Sequence, residues 1–495
     1  MSIIAIDLGT TNIKVIAYDN KLNQLSEKSS SVQYFKDDNV VEFDPEQYFE
    51  ILCGLIKDCC EDSFAAPPFD VSQIVLTGQA ESLVILGKDG RPVRNAISWL
   101  DMRSQKECEE LRGVFDSDTS YHITGQPEIM PTWPVTKILW IKKNEPEIFA
   151  AVDKYLLLKD YIQYRLCGIF AGDHSIYNFS HYFNIVEKEY WTDMLDYVGI
   201  KLSQLPPTVP SCTVLGPVTP QIAKDLGLDP ATKVNVGTLD HFAGMIGTGN
   251  IEEGIITEST GTVLALATMI NTPAFSKDMV QLHCGPFDGT YVFLPVCESG
   301  GISLEWFKNT FTPDVGFDEI NKQCAQKEQP GKLLFMPYIA GTNAPDFNAN
   351  ASGVFFGFKD GADRYDFALA VMEGVAHMLN TNIKYLVEAG VHADRIVSNG
   401  GGTKSALWCQ LKSDITGFTM AVPRNKEAAC LGAAMIGAVS ENIFAGYAEA
   451  VAQCVEIERE YRPALHAEYA VKSELYDKLY GSLQDVYALH AKDVL

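Results

Sequence analysis

The sequence predicts an α/β protein of two related domains that face each other across a cleft. Its 495 residues are too many for one hydrophobic core, because single cores stop growing near about 250 to 300 residues. Short strand-like runs alternate with amphipathic helical segments along the first part of the chain. Two hairpin-like segments roughly 250 positions apart also resemble each other, which indicates two related domains.

The first hairpin-like segment is the N-terminal stretch MSIIAIDLGTTNIKVIAYD. Residues 3–6 and 13–17 are rich in β-branched side chains and predict two strands, and the break at Gly9 predicts a tight turn between them. An acid, two hydroxyls and a lysine accompany this turn. They are Asp7, Thr10, Thr11 and Lys14.

The second segment, IITESTGTVLALA, aligns with the first. The alignment puts Ser259 on Asp7, Gly261 on Gly9 and Thr262 on Thr10. A Gly-Thr turn offers N–H groups and hydroxyls to phosphate oxygens, and a neighbouring acid can hold magnesium. In a single hairpin such residues more often satisfy the turn's own backbone. Two paired copies favour a phosphate and metal site.

A run of three glycines gives the third element. In IVSNGGGTKSALW, residues 396–397 predict a strand end and residues 405–415 predict a helix, with Gly400, Gly401 and Gly402 between them. A flat adenine can lie against such glycines, whereas an ordinary strand-to-helix turn needs only one. The chain has no G-x-x-x-x-G-K-[ST] motif, and Ser405 replaces the last glycine of G-x-G-x-x-G. P-loop and Rossmann chemistry are therefore unsupported.

Charge and composition exclude several classes of protein. The formal net charge of -25 repels nucleic acid phosphates and anionic membranes. No apolar run approaches the ~20 residues of a membrane span, and the start lacks a signal peptide, so we expect a cytoplasmic protein. The 12 cysteines are scattered without a C-x-x-C motif, which favours reduced core thiols over a zinc site.

Taken in order, the motifs resemble those of the FGGY carbohydrate kinases, which belong to the actin-like ATPase (ribonuclease H-like) superfold. The matching stretches are DLGTTNIK, TGQAES, SWLDMRS, TWPVTKILWIKKNEP, LLLKDYIQYRLCG, LDHFAGMIGTG, ESTGT, GVFFGFKDGADRYDFALAVMEG, SNGGGTKSALW and EAACLGAAMIGA. DLGTT alone is shared with heat-shock chaperones, but the ordered set is specific. The resemblance implies an N-terminal domain over residues 1–247, a C-terminal domain over 248–495 and a catalytic cleft between them.

The resemblance also implies roles for single residues. Asp7 corresponds to the magnesium-associated aspartate, and Asp240 to the catalytic base. The ATP and phosphate contacts implied are Thr10, Thr11, Lys14, Thr260, Gly261, Thr262, Gly400, Gly401, Gly402 and Ser405. For Asp240 the alternative is helix N-capping, and both roles can hold together because capping fixes a carboxylate in place.

The sugar pocket departs from the family pattern. Xylulokinases typically have Gly-Gln-Met-His where this chain has Gly-Gln-Ala-Glu at 78–81, and glycerol kinases have Arg-Glu. The residues expected around a polyol are Gln79, Glu81, Trp99, Asp101, Arg103 and His241. A local ion pair is an equally good interpretation of Asp101 and Arg103, and a structural role is a serious rival for His241.

The function implied is ATP-dependent phosphorylation of a small sugar or polyol, with Mg²⁺ and with a pentulose such as xylulose as the first candidate. Another polyol, a hexulose or an aldonate is the alternative within the family. A chaperone-type or sugar-sensing ATPase is the alternative outside it. No nucleic acid or membrane partner is expected, and a homodimer stays open.

Overall fold

The computed structural model describes residues 2–344 and 347–494. The strands are β1 (Ser2–Leu8), β2 (Asn12–Tyr18), β3 (Gln24–Ser31), β4 (Phe35–Asp37), β5 (Val40–Phe43), β6 (Val71–Gly78), β7 (Leu83–Leu86), β8 (Ala96–Ile97), β9 (Lys154–Leu157), β10 (Gly172–Asp173), β11 (Phe183–Asn184), β12 (Glu189–Tyr190), β13 (Thr208–Val209), β14 (Val214–Pro217), β15 (Lys233–Leu239), β16 (Gly254–Thr260), β17 (Leu264–Ile270), β18 (Leu282–Cys284), β19 (Tyr291–Phe293), β20 (Val296–Cys297), β21 (Leu334–Met336), β22 (Val354–Phe356), β23 (Ala393–Asn399), β24 (Met420–Pro423) and β25 (Ile457–Tyr461).

The helices alternate with these strands. They are α1 (Pro45–Ser63), α2 (Gln105–Arg112), α3 (Ser117–Thr124), α4 (Pro134–Asn144), α5 (Pro146–Ala151), α6 (Leu158–Cys167), α7 (His174–Tyr177), α8 (Thr192–Val198), α9 (Pro220–Leu226), α10 (Asp240–Gly247), α11 (Gly301–Phe311), α12 (Phe317–Cys324), α13 (Arg364–Glu388), α14 (Ala406–Thr416), α15 (Ala428–Ser440), α16 (Tyr447–Cys454) and α17 (His466–Val494). Among the residues described, no helix is long and apolar enough to cross a membrane.

Each half of the chain contains one mixed sheet, and the two sheets have the same plan. The N-terminal sheet has the order β14-β15-β6-β1-β2-β3, and the C-terminal sheet runs β25-β24-β23-β16-β17-β19, with β18 beyond β19. In both sheets a central antiparallel hairpin continues into two parallel strands and ends in an antiparallel edge strand. The predicted α/β fold of two related domains is therefore confirmed.

The register of the hairpins matches the alignment found in the sequence. The pairing of β1 with β6 is irregular between Ser2 and Ile3, and the pairing of β16 with β23 is irregular between Gly254 and Ile255. Further along, Asp7 lies opposite Thr77, and Ser259 lies opposite Asn399. The two turns therefore occupy equivalent places in the two sheets.

Helix α15 joins the two halves. Its buried side chains pack on the N-terminal sheet, where Leu431 and Met435 share a core with Ile3 and Val75. The same helix packs across α10, which follows β15 directly. The first residue of α10 is Asp240, so the packing of α10 fixes where this carboxylate lies.

A smaller sheet in the N-terminal half has the order β4-β5-β8-β7-β9. The loop before β7 carries residues 79–82, and the loop after β8 carries residues 98–103. Both loops contact the first hairpin turn through side-chain hydrogen bonds, from Gln79 to the Gly9 carbonyl and from Trp99 to Thr10. The fold thereby collects residues that are far apart in sequence at one end of the sheet.

Candidate active site

Asp7 and Asp240 line one cavity of about 280 Å³ between the two halves of the chain. His241 and Gly244 from α10, Ser259 and Asn399 from the second sheet, and Gly400 and Glu427 complete much of its wall. The Oδ1 atom of Asp7 is enclosed without a hydrogen-bond partner. Burial, helped by the negative charges of Asp240 and Glu427 and opposed by Lys14, raises the pKa of Asp7 to about 7.

Asp240 lies at the start of α10, in the wall of the cavity that Asp7 also lines. Its Oδ1 accepts a hydrogen bond of 2.6 Å from the His241 N–H, in the first turn of α10. Its negative charge contributes to the raised pKa of Asp7 and also to that of Glu81. Because Coulomb effects weaken with distance, a carboxylate that acts on both groups must be close to both.

The first hairpin turn holds its residues in different ways. Thr11 is exposed, whereas the Thr10 hydroxyl accepts a 2.8 Å hydrogen bond from the indole N–H of Trp99. Lys14 forms an ion pair with Glu427, from the C-terminal half, and lies 3.7 Å from Glu27. The Lys14 ammonium therefore already has anionic partners in this structure.

The second turn and the glycine run line a larger cavity of about 580 Å³. Its walls include Thr260, Gly261, Thr262, Gly401, Gly402, Ser405, Phe317, Asn321 and Trp408. The hydroxyl of Thr260 is bound by two charged side chains. It donates to Glu258 and accepts a 2.6 Å hydrogen bond from Lys412, and both of these charged side chains are fully buried.

The three glycines differ in how much space surrounds their Cα atoms. A Cβ added at Gly400 would lie 2.8 Å from the Thr260 carbonyl oxygen, and one at Gly402 would lie 2.9 Å from the Thr260 Cβ. Gly401 has room, since its nearest neighbour would be at 3.8 Å. Gly400 and Gly402 thus permit close packing on β16, whereas a side chain at Gly401 would meet no close neighbour. Ser405 accepts from the Trp408 N–H at 3.1 Å, which caps α14.

The two cavities adjoin along this glycine turn. Ser259 and Gly400 line the smaller cavity, and the next residues along the chain, Thr260 and Gly401, line the larger one. The two cavities are therefore lined by consecutive residues of β16 and of the glycine turn.

Glu81 faces a buried cation that the sequence analysis did not identify. Lys137 on α4 is completely buried, and its ammonium donates to the carbonyl oxygens of Ser98 and Thr132, both at 2.8 Å. Burial raises the pKa of Glu81 and lowers the pKa of Lys137, and the opposite charges partly offset both shifts. The signal available in the sequence was a single lysine within the apolar helical run TWPVTKILW.

Asp101 and Arg103 contact each other and the loops around them. Asp101 is completely buried and accepts from the Val41 N–H at 2.7 Å and from Arg103 Nη2 at 2.6 Å. Arg103 also binds Glu42 at 2.6 Å and lies over the ring of Trp140, 4.9 Å from its centre. The local ion pair that was the alternative for these two residues is present. Neither residue lines the two cavities described above, and the same is true of Gln79, Glu81 and Trp99.

The residues around Asp7 fit a magnesium ion that is shared with phosphate groups. Within residues 2–344 and 347–494, no group of three or more His, Cys, Asp or Glu side chains could hold a metal ion by itself. Magnesium usually takes only one or two carboxylates and completes its shell with water and substrate phosphates. The unpartnered Oδ1 of Asp7 matches that requirement.

Comparison with known proteins agrees with this geometry. The models of the N-terminal and C-terminal domains of the FGGY family of carbohydrate kinases match residues 2–247 and 259–441. A xylulose kinase from Staphylococcus epidermidis is 30% identical over 488 residues, which cover 98% of this chain and 96% of that protein. A gluconokinase from Bacillus subtilis is 28% identical over 448 residues, or 88% of this chain and 86% of that protein.

A solved structure of ligand-bound xylulose kinase from Lactobacillus acidophilus superposes with a TM-score of 0.92 at 24% identity, over 98% of this chain and 99% of that one. The predicted enzyme class, a phosphotransferase that acts on a sugar hydroxyl, is confirmed by the family match. Both halves of the chain are covered, in the order that the motifs predicted. The chain therefore belongs to the FGGY family of carbohydrate kinases.

Proposed function

We propose that this kinase transfers the γ-phosphoryl group of ATP to a hydroxyl of a neutral ketose, with xylulose as the first candidate and Asp240 as the general base. The observation that carries the proposal is the position of Asp240. It lines the smaller cavity with Asp7, and its charge also reaches Glu81 on the sugar side. A base in this position can accept the proton of a sugar hydroxyl whose oxygen attacks the terminal phosphorus.

Phosphoryl transfer depends mainly on positioning and on electrostatic stabilisation. In the proposal, the adenosine group lies in the larger cavity against Gly401 and near Ser405. Its phosphates follow the two Gly-Thr turns toward Asp240, past the exposed Thr11 and Thr262. In the proposal, closure of the two halves around the substrates excludes water, which would compete with the sugar as the nucleophile.

Asp7 is the residue that would hold magnesium in this scheme. When bound, Mg²⁺ supplies positive charge that offsets the charge on the phosphate oxygens during transfer. Asp7 itself would then be ionised, because a cation beside a carboxylate lowers the carboxylate's pKa. The -25 net charge of the chain makes such local compensation necessary for an anionic nucleotide.

The charge of the sugar side favours a neutral substrate over an aldonate. Burial is the main cause of the raised pKa of Glu81, and repulsion by the Asp240 carboxylate adds to it. A third carboxylate, from gluconate, would add to this repulsion. Lys137 could balance it only in part, because its ammonium is fully buried and already bonded to two carbonyl oxygens. Gln79, Trp99 and His241 complete the proposed pocket, and Asp101 and Arg103 support its loops.

The test is a substrate panel with Mg-ATP. D-xylulose, D-ribulose, D-fructose, glycerol and D-gluconate are compared by ADP formation, and the phosphorylated product is identified by mass spectrometry. We expect the highest kcat/KM with D-xylulose and a much lower value with D-gluconate. A higher kcat/KM for D-gluconate than for every neutral sugar would contradict the charge argument. The enzyme would then be an aldonate kinase.

A further inference from the structure

The backbone leaves the regular sheet pairing shortly before Asp240 and rejoins it at Thr238 and Leu239, which lie opposite Thr77 and Gly78. Strand β15 pairs with β6, but the pairing is irregular between Asn235 and Thr238. Irregularities of this kind interrupt the ladder and re-aim the side chains that follow. Helix α10 then begins after Leu239, whose side chain has no acceptor that could cap the helix. A contact from another segment can therefore add to the pairing that holds this junction on β6.

Ser175 supplies that contact from a different segment of the chain. Its Oγ accepts a 2.9 Å hydrogen bond from the Leu239 N–H and a 3.0 Å bond from the Thr238 hydroxyl. The same hydroxyl donates to Oδ1 of Asp173. A serine hydroxyl has one donor and two acceptor positions, so all three are used. Ser175 is completely buried, so its side chain has no contact with solvent.

A buried ion pair holds Ser175 in turn. Asp173 forms an ion pair with Lys159, and both side chains are fully buried. Oδ1 of Asp173 also accepts from the Ser175 N–H at 2.9 Å and from the Ser211 hydroxyl at 3.0 Å. Buried ion pairs add little stability compared with apolar residues of similar size, because desolvation offsets their attraction. The arrangement is better explained by the fixed geometry it gives than by stability.

We propose that Ser175, held by the buried pair of Asp173 and Lys159, is a positioning residue that fixes the start of α10 and so the carboxylate of Asp240. This inference rests on the proposed role of Asp240 as the base. Ser175 lines neither of the two cavities, so it acts through the backbone and not by touching the substrate. A displacement of about 1 Å in an aligned reacting group can cost on the order of 10²-fold in rate.

The test compares Ser175→Ala with Ser180→Ala. Ser180 is equally buried and lies close by in the sequence, and its hydroxyl donates to the Tyr177 carbonyl oxygen and accepts from the Tyr182 N–H at 3.2 Å. None of these bonds reaches β15 or α10. Kinetics are measured with Mg-ATP and the panel sugar that the wild-type enzyme phosphorylates fastest, and melting temperatures are measured on the same preparations.

We expect Ser175→Ala to lower kcat by about 10-fold to 100-fold, with the KM values for sugar and ATP within about twofold of wild type. Ser180→Ala should keep kcat within about twofold at a similar loss of melting temperature. A purely structural serine would lower the melting temperature without this split between kcat and KM. Equal kcat values for the two variants would overturn the inference.

Two further variants make the result decisive. Thr238→Val is isosteric, removes only the hydroxyl that donates to Ser175, and should lower kcat about threefold even if Ser175→Ala does not fold. A wild-type kcat for Thr238→Val in that case would also overturn the inference. Asp240→Asn is measured in parallel. Loss of activity in Asp240→Asn with a normal Ser175→Ala rejects the positioning role alone, whereas an active Asp240→Asn rejects the base itself.

Discussion

At the scale of single residues, the site depends on a few charges placed where they influence one another. Asp240 raises the pKa values of Asp7 and Glu81, while Lys14 lowers that of Asp7 and Lys137 lowers that of Glu81. Glu427 also raises the pKa of Asp7, so two carboxylates oppose the ionisation of Asp7 and one ammonium favours it, whereas Glu81 has one neighbour of each kind. If Asp7 holds magnesium as proposed, binding an anionic nucleotide with its cation would shift this balance at Asp7 first.

The general-base role of Asp240 predicts a specific pattern for Asp240→Asn. The amide keeps the shape and can still accept from the His241 N–H, but it cannot take up the proton of a sugar hydroxyl. General-base catalysis contributes about 10² to 10⁴ in rate, so we expect kcat to fall by that factor, or roughly 2.7 to 5.4 kcal/mol of transition-state stabilisation. KM values and the melting temperature should change little.

A suitable control is Asp116→Asn. Asp116 is exposed and caps α3 by accepting from the Thr119 N–H at 2.8 Å, far in sequence from both cavities. If Asp240 only accepts the hydrogen bond from the His241 N–H at the start of α10, both variants should keep the wild-type kcat. Only their melting temperatures should then differ from that of the wild type. Near-wild-type kcat in Asp240→Asn with the true substrate would show that the base lies elsewhere.

Residues within motifs could be predicted from the sequence, but their partners could not. Asp7 lies near the end of β1 and Asp240 directly follows β15, so their positions at sheet ends follow from local pattern alone. Lys137 acts on Glu81, and Glu427 pairs with Lys14. These partners lie on other segments of the chain, and no local sequence pattern connects them. Where such contacts decide the direction of a side chain, sequence reasoning fails.

Thr260 shows how such contacts engage a side chain. The family resemblance implies a phosphate contact for Thr260, and in the structure its hydroxyl is bound by the buried pair of Glu258 and Lys412. A buried ion pair needs additional hydrogen bonds to offset its desolvation, and the Thr260 hydroxyl supplies them here. Thr262 is exposed at the second turn and remains the hydroxyl proposed to face a phosphate there.

At the scale of elements, the hairpins were predicted well because their signal is local. Residues 3–6 and 13–17 fall inside β1 and β2, and the predicted helix over 405–415 corresponds to α14 within one residue at each end. The strands extend further than predicted because pairing with β6 and β3 continues past the apolar residues. The equivalence of the two sheets, with their matching irregularities, depends on pairing and required the structure.

One element-scale contact leads to a prediction about ATP. Lys14 on β2 pairs with Glu427 just before α15, so the first turn is connected to the other half of the chain. If Lys14 binds phosphate, it must leave Glu427, whose charge also lies beside the phosphate path in the smaller cavity. Glu427→Gln should therefore lower the KM for ATP by about fivefold, which corresponds to roughly 1 kcal/mol for a partly exposed pair.

The controls separate this competition from a supporting role. Glu27→Gln removes the other carboxylate near Lys14 but not one that lines the cavity, so it should change the KM for ATP by less than about twofold. Lys14→Met should raise the KM for ATP, and the double variant with Glu427→Gln should resemble Lys14→Met. A raised KM for ATP in Glu427→Gln would mean that Glu427 holds Lys14 in its binding position.

At the scale of the whole molecule, the two halves meet where α10 crosses α15 almost backbone to backbone. A Cβ added at Gly432 of α15 would lie 1.8 Å from the carbonyl oxygen of Ala243 in α10. A Cβ added at Gly247 of α10 would lie 1.9 Å from the carbonyl oxygen of Ala428. No side chain fits between the helices at this point, so the distance between the two halves is set by glycine.

This crossing predicts that Gly432→Ala acts on stability and catalysis together. A Cβ at 1.8 Å from a backbone oxygen cannot be accommodated by a side-chain rotation, so the helices must separate. Overpacking of this kind costs about 1 to 3 kcal/mol. Since Asp240 is the first residue of α10, the separation should displace the base and lower kcat by at least about tenfold. Both effects are measured on one preparation, by urea unfolding and by steady-state kinetics.

Gly481→Ala is the matched control, because it makes the same chemical change in a helix with free space. Gly481 lies within α17, is exposed, and has no atom within 4 Å of an added Cβ. Removing a glycine from a helix interior should stabilise the protein by about 0.5 to 1 kcal/mol and leave kcat unchanged. Gly432→Ala should therefore lower the free energy of unfolding, whereas Gly481→Ala should raise it. This difference in sign separates the effect of steric contact at the crossing from the effect of helix propensity. If Gly432→Ala proved as stable and as active as Gly481→Ala, the distance between the halves would not be what holds Asp240 in place.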